Sequence, residues 1–145
     1  MLFKNILVPY DGSQCSNHAF KVALDLAKKY NSKVTILSCL DSELGNTWYG
    51  FDSRVSNAIL KKQKKSIEKD ITKFTDLIKK TKISFSSKII ETNSIAKSIL
   101  SFSKSNKIDL IVMGSHGRRG FDKILLGSVA NAVSQQAKCP VLILK

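Results

Sequence analysis

Short apolar runs alternate with longer stretches of helical periodicity along the whole chain. The first run, Ile6-Leu7-Val8, closes on Pro9-Tyr10-Asp11-Gly12-Ser13 and predicts a strand over 4–9 followed by a turn. Ser13 is placed to cap the next helix, in which Ala19, Val22, Ala23, Leu26, Ala27 and Tyr30 recur at three- and four-residue intervals. Residues 34–40 make a second strand. A long helix over 53–80 follows, with Leu60, Ile67, Ile71, Phe74 and Ile78 as its apolar stripe. Ile83, Phe85 and Ile89 give a weaker alternating strand, which reads as an edge. Ser94 is placed to cap a helix through Ile95, Ile99, Leu100 and Phe102. Residues 108–113 form a buried strand, Val129, Ala130, Val133 and Ala137 mark a last helix, and Val141-Leu142-Ile143-Leu144 is a last strand.

Strands alternating with helices predict an α/β fold: one domain over 1–145, with a mostly parallel open sheet and helices on both faces. Ligands of such sheets bind beyond the carboxyl ends of the strands, where the strand order reverses. Three of those ends are polar or glycine-rich: Pro9 to Ser13, Leu40-Asp41-Ser42 and Gly114 to Gly117. They are expected to share one crevice. The last strand is apolar from Pro140 to Leu144, and only Lys145 guards it. A bare edge of this kind invites pairing, so a homodimer through Pro140–Lys145 is expected.

The 145 residues are 43% hydrophobic and 24% charged, an ordinary balance for a globular domain. No apolar run is long enough to span a bilayer, which argues against membrane insertion, and the N-terminus has no secretory pattern. Cys15, Cys39 and Cys139 are odd in number and fit neither a metal site nor a disulfide framework. The expected compartment is the cytoplasm. The net charge of +13 suggests a polyanionic or phosphorylated partner. Arg54, Arg118 and Arg119 are the only arginines, so lysines supply 21 of the 24 basic residues. Lys61, Lys62, Lys64, Lys65, Lys69 and Lys73 crowd the long helix. They read as a solvated face opposite the apolar stripe, with a nucleic-acid surface as the alternative. No aromatic residues are interleaved there to stack bases.

The candidate chemistry lies at 114–128, Gly-Ser-His-Gly-Arg-Arg-Gly-Phe-Asp-Lys-Ile-Leu-Leu-Gly-Ser. A buried strand runs into a glycine loop that ends at a helix start. That arrangement offers free backbone N–H groups and a positive helix end to an anion, with phosphate the expected guest. Arg118 and Arg119 add forked donors suited to phosphate. The spacing is neither a Walker A loop nor the dinucleotide fingerprint.

The chain resembles the universal stress protein family, in its ATP-binding branch. The resemblance is carried by Ile6 to Ser13 at the start, by Asp109 to Gly114, by Gly127 to Ala130 and by Cys139 to Ile143. It is also carried by the spacing Gly114, two residues, Gly117, nine residues, Gly127-Ser128. It covers nearly the whole length. It implies a Rossmann-like five-stranded parallel sheet in the order 3-2-1-4-5, a dimer through the last strand, and ATP between the ends of strands 1 and 4, with Mg2+ or Mn2+ as its companion metal. By position it implies that Pro9 and Asp11 face the nucleoside, with Tyr10 between them. The backbone near Cys39 and Leu40 would meet the adenine, Met113 and Gly114 the ribose side, and Gly117, Arg118, Gly127, Ser128 and Val129 the phosphates. The chain departs from the family at Glu91-Thr92-Asn93-Ser94, where a glycine is usual. Asparagine tolerates the left-handed conformation, so the turn is expected to survive.

Several residues keep two readings. Asp11 binds ligand or shapes the turn with Gly12 and Ser13. His116 contacts phosphate, moves a proton, or is a loop residue only. Cys15 sits in a first helical turn that stabilises a thiolate, and His18 reads as structural. Trp48, Tyr49 and Phe51 in 41–52 either pack on the core or form a lid. No general base or transition-state arginine stands out, so ATP is expected as a bound signal, with slow hydrolysis at most. The competing functions are a nucleic-acid module driven by charge and a nucleotide-free dimer of the same fold.

Overall fold

Consecutive residues of the inner strands are apolar, so both faces of the sheet need cover. The computed structural model describes residues 2–43, 53–117 and 126–145, and supplies that cover in the order β1 (Asn5–Pro9), α1 (Gln14–Tyr30), β2 (Lys33–Asp41), α2 (Ser53–Lys79), β3 (Ser84–Thr92), α3 (Ile95–Ser105), β4 (Leu110–Gly114), α4 (Ser128–Gln136) and β5 (Val141–Leu144). The strands are parallel in the order β3-β2-β1-β4-β5, as the resemblance implied.

Strand alternation sorts side chains between two cores. Ile6 and Val8 of β1, with Leu110 and Val112 of β4, pack beneath α1 and α2. Leu7, Ile111 and Met113 face the other way, onto Ile99 of α3 and Ala130 and Val133 of α4. β3 is partly exposed along its length and forms one edge; β5 forms the other. Leu142 of β5 is 39% exposed. The six lysines of α2 named above are all exposed, whereas Leu60, Ile67 and Ile78 of the same helix are buried.

The buried stripe of α1 differs from the expected one. It comprises Ser16, Ala19, Phe20, Ala23, Leu24 and Ala27, while Val22, Leu26 and Tyr30 lie at its flanks. The small residues let the helix lie close to the sheet. Phe20 reaches instead toward α2, with its ring centroid 4.0 Å from that of Phe74. Trp48, Tyr49 and Phe51 lie outside the described residues.

The helix ends show which polar side chains set the turns. Ser13 caps α1 as expected, its Oγ accepting from Ser16 N at 3.2 Å. Asn31 closes α1 in the left-handed conformation, φ 55°. Ser94 occupies the start of α3, but its side chain makes no capping bond. Thr92 does the work. Its Oγ1 accepts from Ser94 N at 3.1 Å and Ser98 Oγ at 2.8 Å, and donates to Ser94 O at 3.2 Å. Asn93 is not among the described non-glycine residues with positive φ, which are Phe3, Asn31 and Lys107. The turn therefore survives without a left-handed residue. At the opposite end of the sheet, Asp109 ties β1 to β4 by accepting from Lys4 N and Asn5 N at 2.9 and 3.2 Å.

Phe20 is 1% exposed at the meeting of α1, α2 and the sheet. Phe20→Ala is expected to lower unfolding free energy by about 3–5 kcal/mol, read from urea denaturation followed by circular dichroism. A loss under about 1 kcal/mol would mean that the α1–α2 contact is not part of the cooperative core.

Candidate functional site

β1 and β4 are neighbours in the sheet, but the chain leaves them toward opposite faces, into α1 and toward α4. Parting at adjacent strand ends opens a crevice. Here it forms a cavity of about 530 Å³, within the usual range for small-molecule sites.

The turn after β1 forms one wall. Gly12 has φ 85°, a conformation that few side chains tolerate. Asp11 Oδ1 accepts from Ser13 N at 2.9 Å, so this carboxylate does shape the turn. Its second oxygen faces Gly117, where an added Cβ would lie 2.7 Å from Oδ2. One side chain thus braces the turn and presents charge to the glycine loop. Tyr10 also borders the cavity, but its ring is buried. Its hydroxyl lies 2.9 Å from Asp70 Oδ2 and 3.1 Å from Asn17 Oδ1. Burial first, then the hydrogen bond to Asp70 and its charge, hold this phenol above its ordinary range. It is a neutral donor that ties β1 to α1 and α2.

The end of β4 forms the facing wall. An added Cβ on Gly114 would come within 2.5 Å of Cys15 Cβ and 2.9 Å of the Cys15 carbonyl carbon. Glycine is required there because the first turn of α1 lies against the strand. The next residue, Ser115, is held by its backbone: its N–H donates to Leu144 O at 2.7 Å and its carbonyl accepts from Gly127 N at 2.8 Å. These bonds bring 126–128 back beside 114–117, although the intervening 118–125, including Arg118 and Arg119, lie outside the described residues. Ser115 Oγ and His116 Nδ1 are 2.9 Å apart. His116 Nε2 is buried and has no partner among the described residues.

α4 begins at Ser128 with Gly127 as its cap residue, and no side chain caps it. The first intrahelical bond runs from Asn131 N to Gly127 O. The N–H groups of Ser128, Val129 and Ala130 precede that bond, and these residues border the cavity. Orphan donors at a positive helix end favour an anion.

The floor between these walls comes from β2. Cys39 and Leu40 reach the cavity, as do Pro9 and Met113. Burial pushes the Cys39 thiol up to about 11, so this side chain is neutral at ordinary pH, and Asp41 at the end of the strand is the acidic residue of this wall. Cys15 lies under Gly114 rather than in the open. His18 Nδ1 lies 3.3 Å from Lys145 O, which joins α1 to the chain end, a structural contact. All the expected site residues within the described segments are brought to the one cavity. Missed in the sequence were Gln63 and Ile67 of α2 and Asn93 to Ala96 after β3, which also border it. Gln63 lies one turn before Ile67 on the same helical face, a signal that existed but has no meaning until α2 is docked. Among the described residues no three His, Cys, Asp or Glu side chains are grouped to hold a metal. No helix among them is long and apolar enough to cross a membrane.

Residues 2–145 match the model of the universal stress protein family. The chain belongs to that family. A universal stress protein of Methanocaldococcus jannaschii is 34% identical over 99% of this chain and 83% of its own length. The universal stress protein UspA of Lactobacillus plantarum has the same fold, with a TM-score of 0.87 at 23% identity, covering 100% of this chain and 99% of that one. A universal stress protein of Archaeoglobus fulgidus, solved in complex with dAMP, superposes with a TM-score of 0.64 at 18% identity over the full length of both chains.

In this universal stress protein two cavity glycines meet different neighbours, and substitution should separate their roles. Gly114→Ala drives a methyl into backbone and is expected to cost about 1–3 kcal/mol of stability. Among the described residues Gly117→Ala meets only the end of the Asp11 side chain, which can turn aside, and should leave the melting temperature within about 2 °C. Thermal melts of the two variants check this. Equal losses would show that the loop at Gly117 is as tightly packed as the helix contact.

Proposed function

We propose that this universal stress protein binds an adenine nucleotide, ATP with Mg2+ or Mn2+, and uses it as a ligand signal within a homodimer. The observation that carries the reading is the convergence of Gly114, Gly117, Gly127 and the uncapped start of α4 on one side of a cavity whose floor is mostly apolar. An anionic group suits the first side and a flat heterocycle the second. The Archaeoglobus fulgidus complex with dAMP supports the adenine class.

In this reading the phosphates lie against Gly117, Gly127, Ser128 and Val129, with Arg118 and Arg119 adding positive charge. Pro9 and Asp11 face the nucleoside, Met113 and Gly114 border the ribose, and the β2 backbone at Cys39 and Leu40 meets the base. His116, with its buried Nε2, stands on the phosphate side. The donor set fits a metal that rides on the phosphates. Mg2+ is commonly held by one or two carboxylates, phosphate oxygens and water, and Asp11 beside Gly117 is placed to be such a carboxylate. The metal would offset phosphate charge there. The N–H groups of α4 and the loop orient the phosphate chain.

The test is isothermal titration of the folded protein with Mg-ATP. Saturable binding is expected, weakened roughly ten-fold or more by Asp11→Ala, the scale of a lost hydrogen bond to a charged group. Absence of binding by folded protein would overturn the proposal.

The dimer is proposed through β5, whose apolar outer edge includes Leu142. Sedimentation at micromolar concentration is expected to give twice the 16.1 kDa chain mass, and Leu142→Lys to give the monomer, because a charge on an edge strand blocks pairing. A monomeric wild-type protein would remove the dimer from the proposal.

A further inference from the structure

The two ends of the cavity differ in chemistry. The anion-favouring end lies at β4 and α4. The other lies at the ends of β2 and β3, where Leu40 pairs with Glu91 and Asp41 with Thr92 before the chain turns at Asn93. Strands are spaced about 4.8 Å apart, so the ends of β3 and β4 are separated by roughly 14 Å. A base, ribose and phosphate chain can bridge that span.

The far end is mostly apolar, with Leu40, Ile67, Ile95 and Ile99 on its walls. Two neutral carboxamides stand among them. Gln63 comes from α2, on one face of the sheet. Asn93 leads into α3, on the other. Neither has a hydrogen-bond partner among the described residues, whereas the nearby Asp41 carboxylate already accepts from Glu43 N at 2.9 Å. The pair therefore approaches the base end from opposite sides, with both donor and acceptor capacity unspent.

We infer that Gln63 and Asn93 read the edge of the bound base and select adenine over guanine; this rests on the nucleotide reading above. A carboxamide sets an N–H donor beside a carbonyl acceptor. On the N6/N7 edge, the one read here, adenine presents the complement, an amino donor beside a ring-nitrogen acceptor, whereas the same edge of guanine presents O6 and N7, two acceptors side by side. The amide oxygen then faces an acceptor, and the mismatch rejects guanine as actively as the match retains adenine. The apolar walls hold the ring by its faces and carry little information about which purine it is.

The experiment is isothermal titration of the wild-type protein, Gln63→Ala, Asn93→Ala and the double variant with Mg-ATP and with Mg-GTP, folding being checked by thermal melts. The wild type is expected to prefer Mg-ATP by at least about ten-fold, the discrimination one amide–adenine pair supplies. Each single variant should lose part of that ratio, and the double variant should bring it close to one, mainly by weakening ATP. The isosteric pair Gln63→Glu and Asn93→Asp removes the donors with little change in shape and should weaken Mg-ATP binding as the alanine variants do. ATP binding with no preference over GTP, or with a preference that survives in the double variant, overturns the inference and leaves the nucleotide reading standing. Failure of the wild type to bind either nucleotide overturns both.

Discussion

The first turn of α1 lies so close to the end of β4 that no methyl group fits between them. That contact, Gly114 against Cys15, sets the geometry of the whole binding face. Because α1 crosses toward β4, the turn that precedes it is carried over the gap between β1 and β4. Asp11 then arrives beside Gly117. Interiors are packed to crystal-like density, so a gap of even one methylene here would lift the turn and widen the crevice. The ties on either side reinforce it: Asp109 clamps the starts of β1 and β4, and Tyr10 links β1 to Asn17 and Asp70.

The cavity is polarised by where the elements end. Uncapped backbone N–H groups gather at the start of α4, while the β2 side offers a neutral Cys39 thiol and aliphatic walls. In the proposed reading such a cleft sorts a ligand end to end, anion at one side and flat apolar ring at the other. Backbone donors are well suited to this, since they are held by the strand and helix that carry them and lose little freedom when a ligand arrives. Of the two carboxylates among the described residues that border the cavity, Asp11 is held in its turn by the Ser13 N–H and Asp41 accepts from Glu43 N.

Much of this was legible in the residues. The strands were marked by doubly apolar runs, which only a sheet covered on both faces produces, and α2 by a clear stripe. The glycine spacing with its strand and helix flanks located residues that the fold brings to one cavity beside the uncapped start of α4. Other features were hidden for physical reasons. The stripe of α1 was met at Ala19, Ala23 and Ala27, but several helical faces were apolar, and only docking shows that Phe20 and Leu24 are buried with them while Val22 and Leu26 are partly covered at the flank. Thr92 could not be told from Ser94 as the side chain organising the start of α3, because either hydroxyl sits within reach of the same backbone groups.

The sequence by itself determined the order of strands and helices, the two-sided core and the glycine loop, because these follow from local periodicity and from residues whose backbone needs are individual. The tertiary structure decided which distant residues share the cavity. Gln63 and Asn93 lie on elements that reach the same strand ends only after parallel crossovers have placed α2 on one face and α3 on the other. Likewise the need for glycine at 114 became visible only with Cys15 beside it. Contacts across a crossover depend on how helices dock, and docking is fixed by the summed packing of many side chains rather than by any one local pattern.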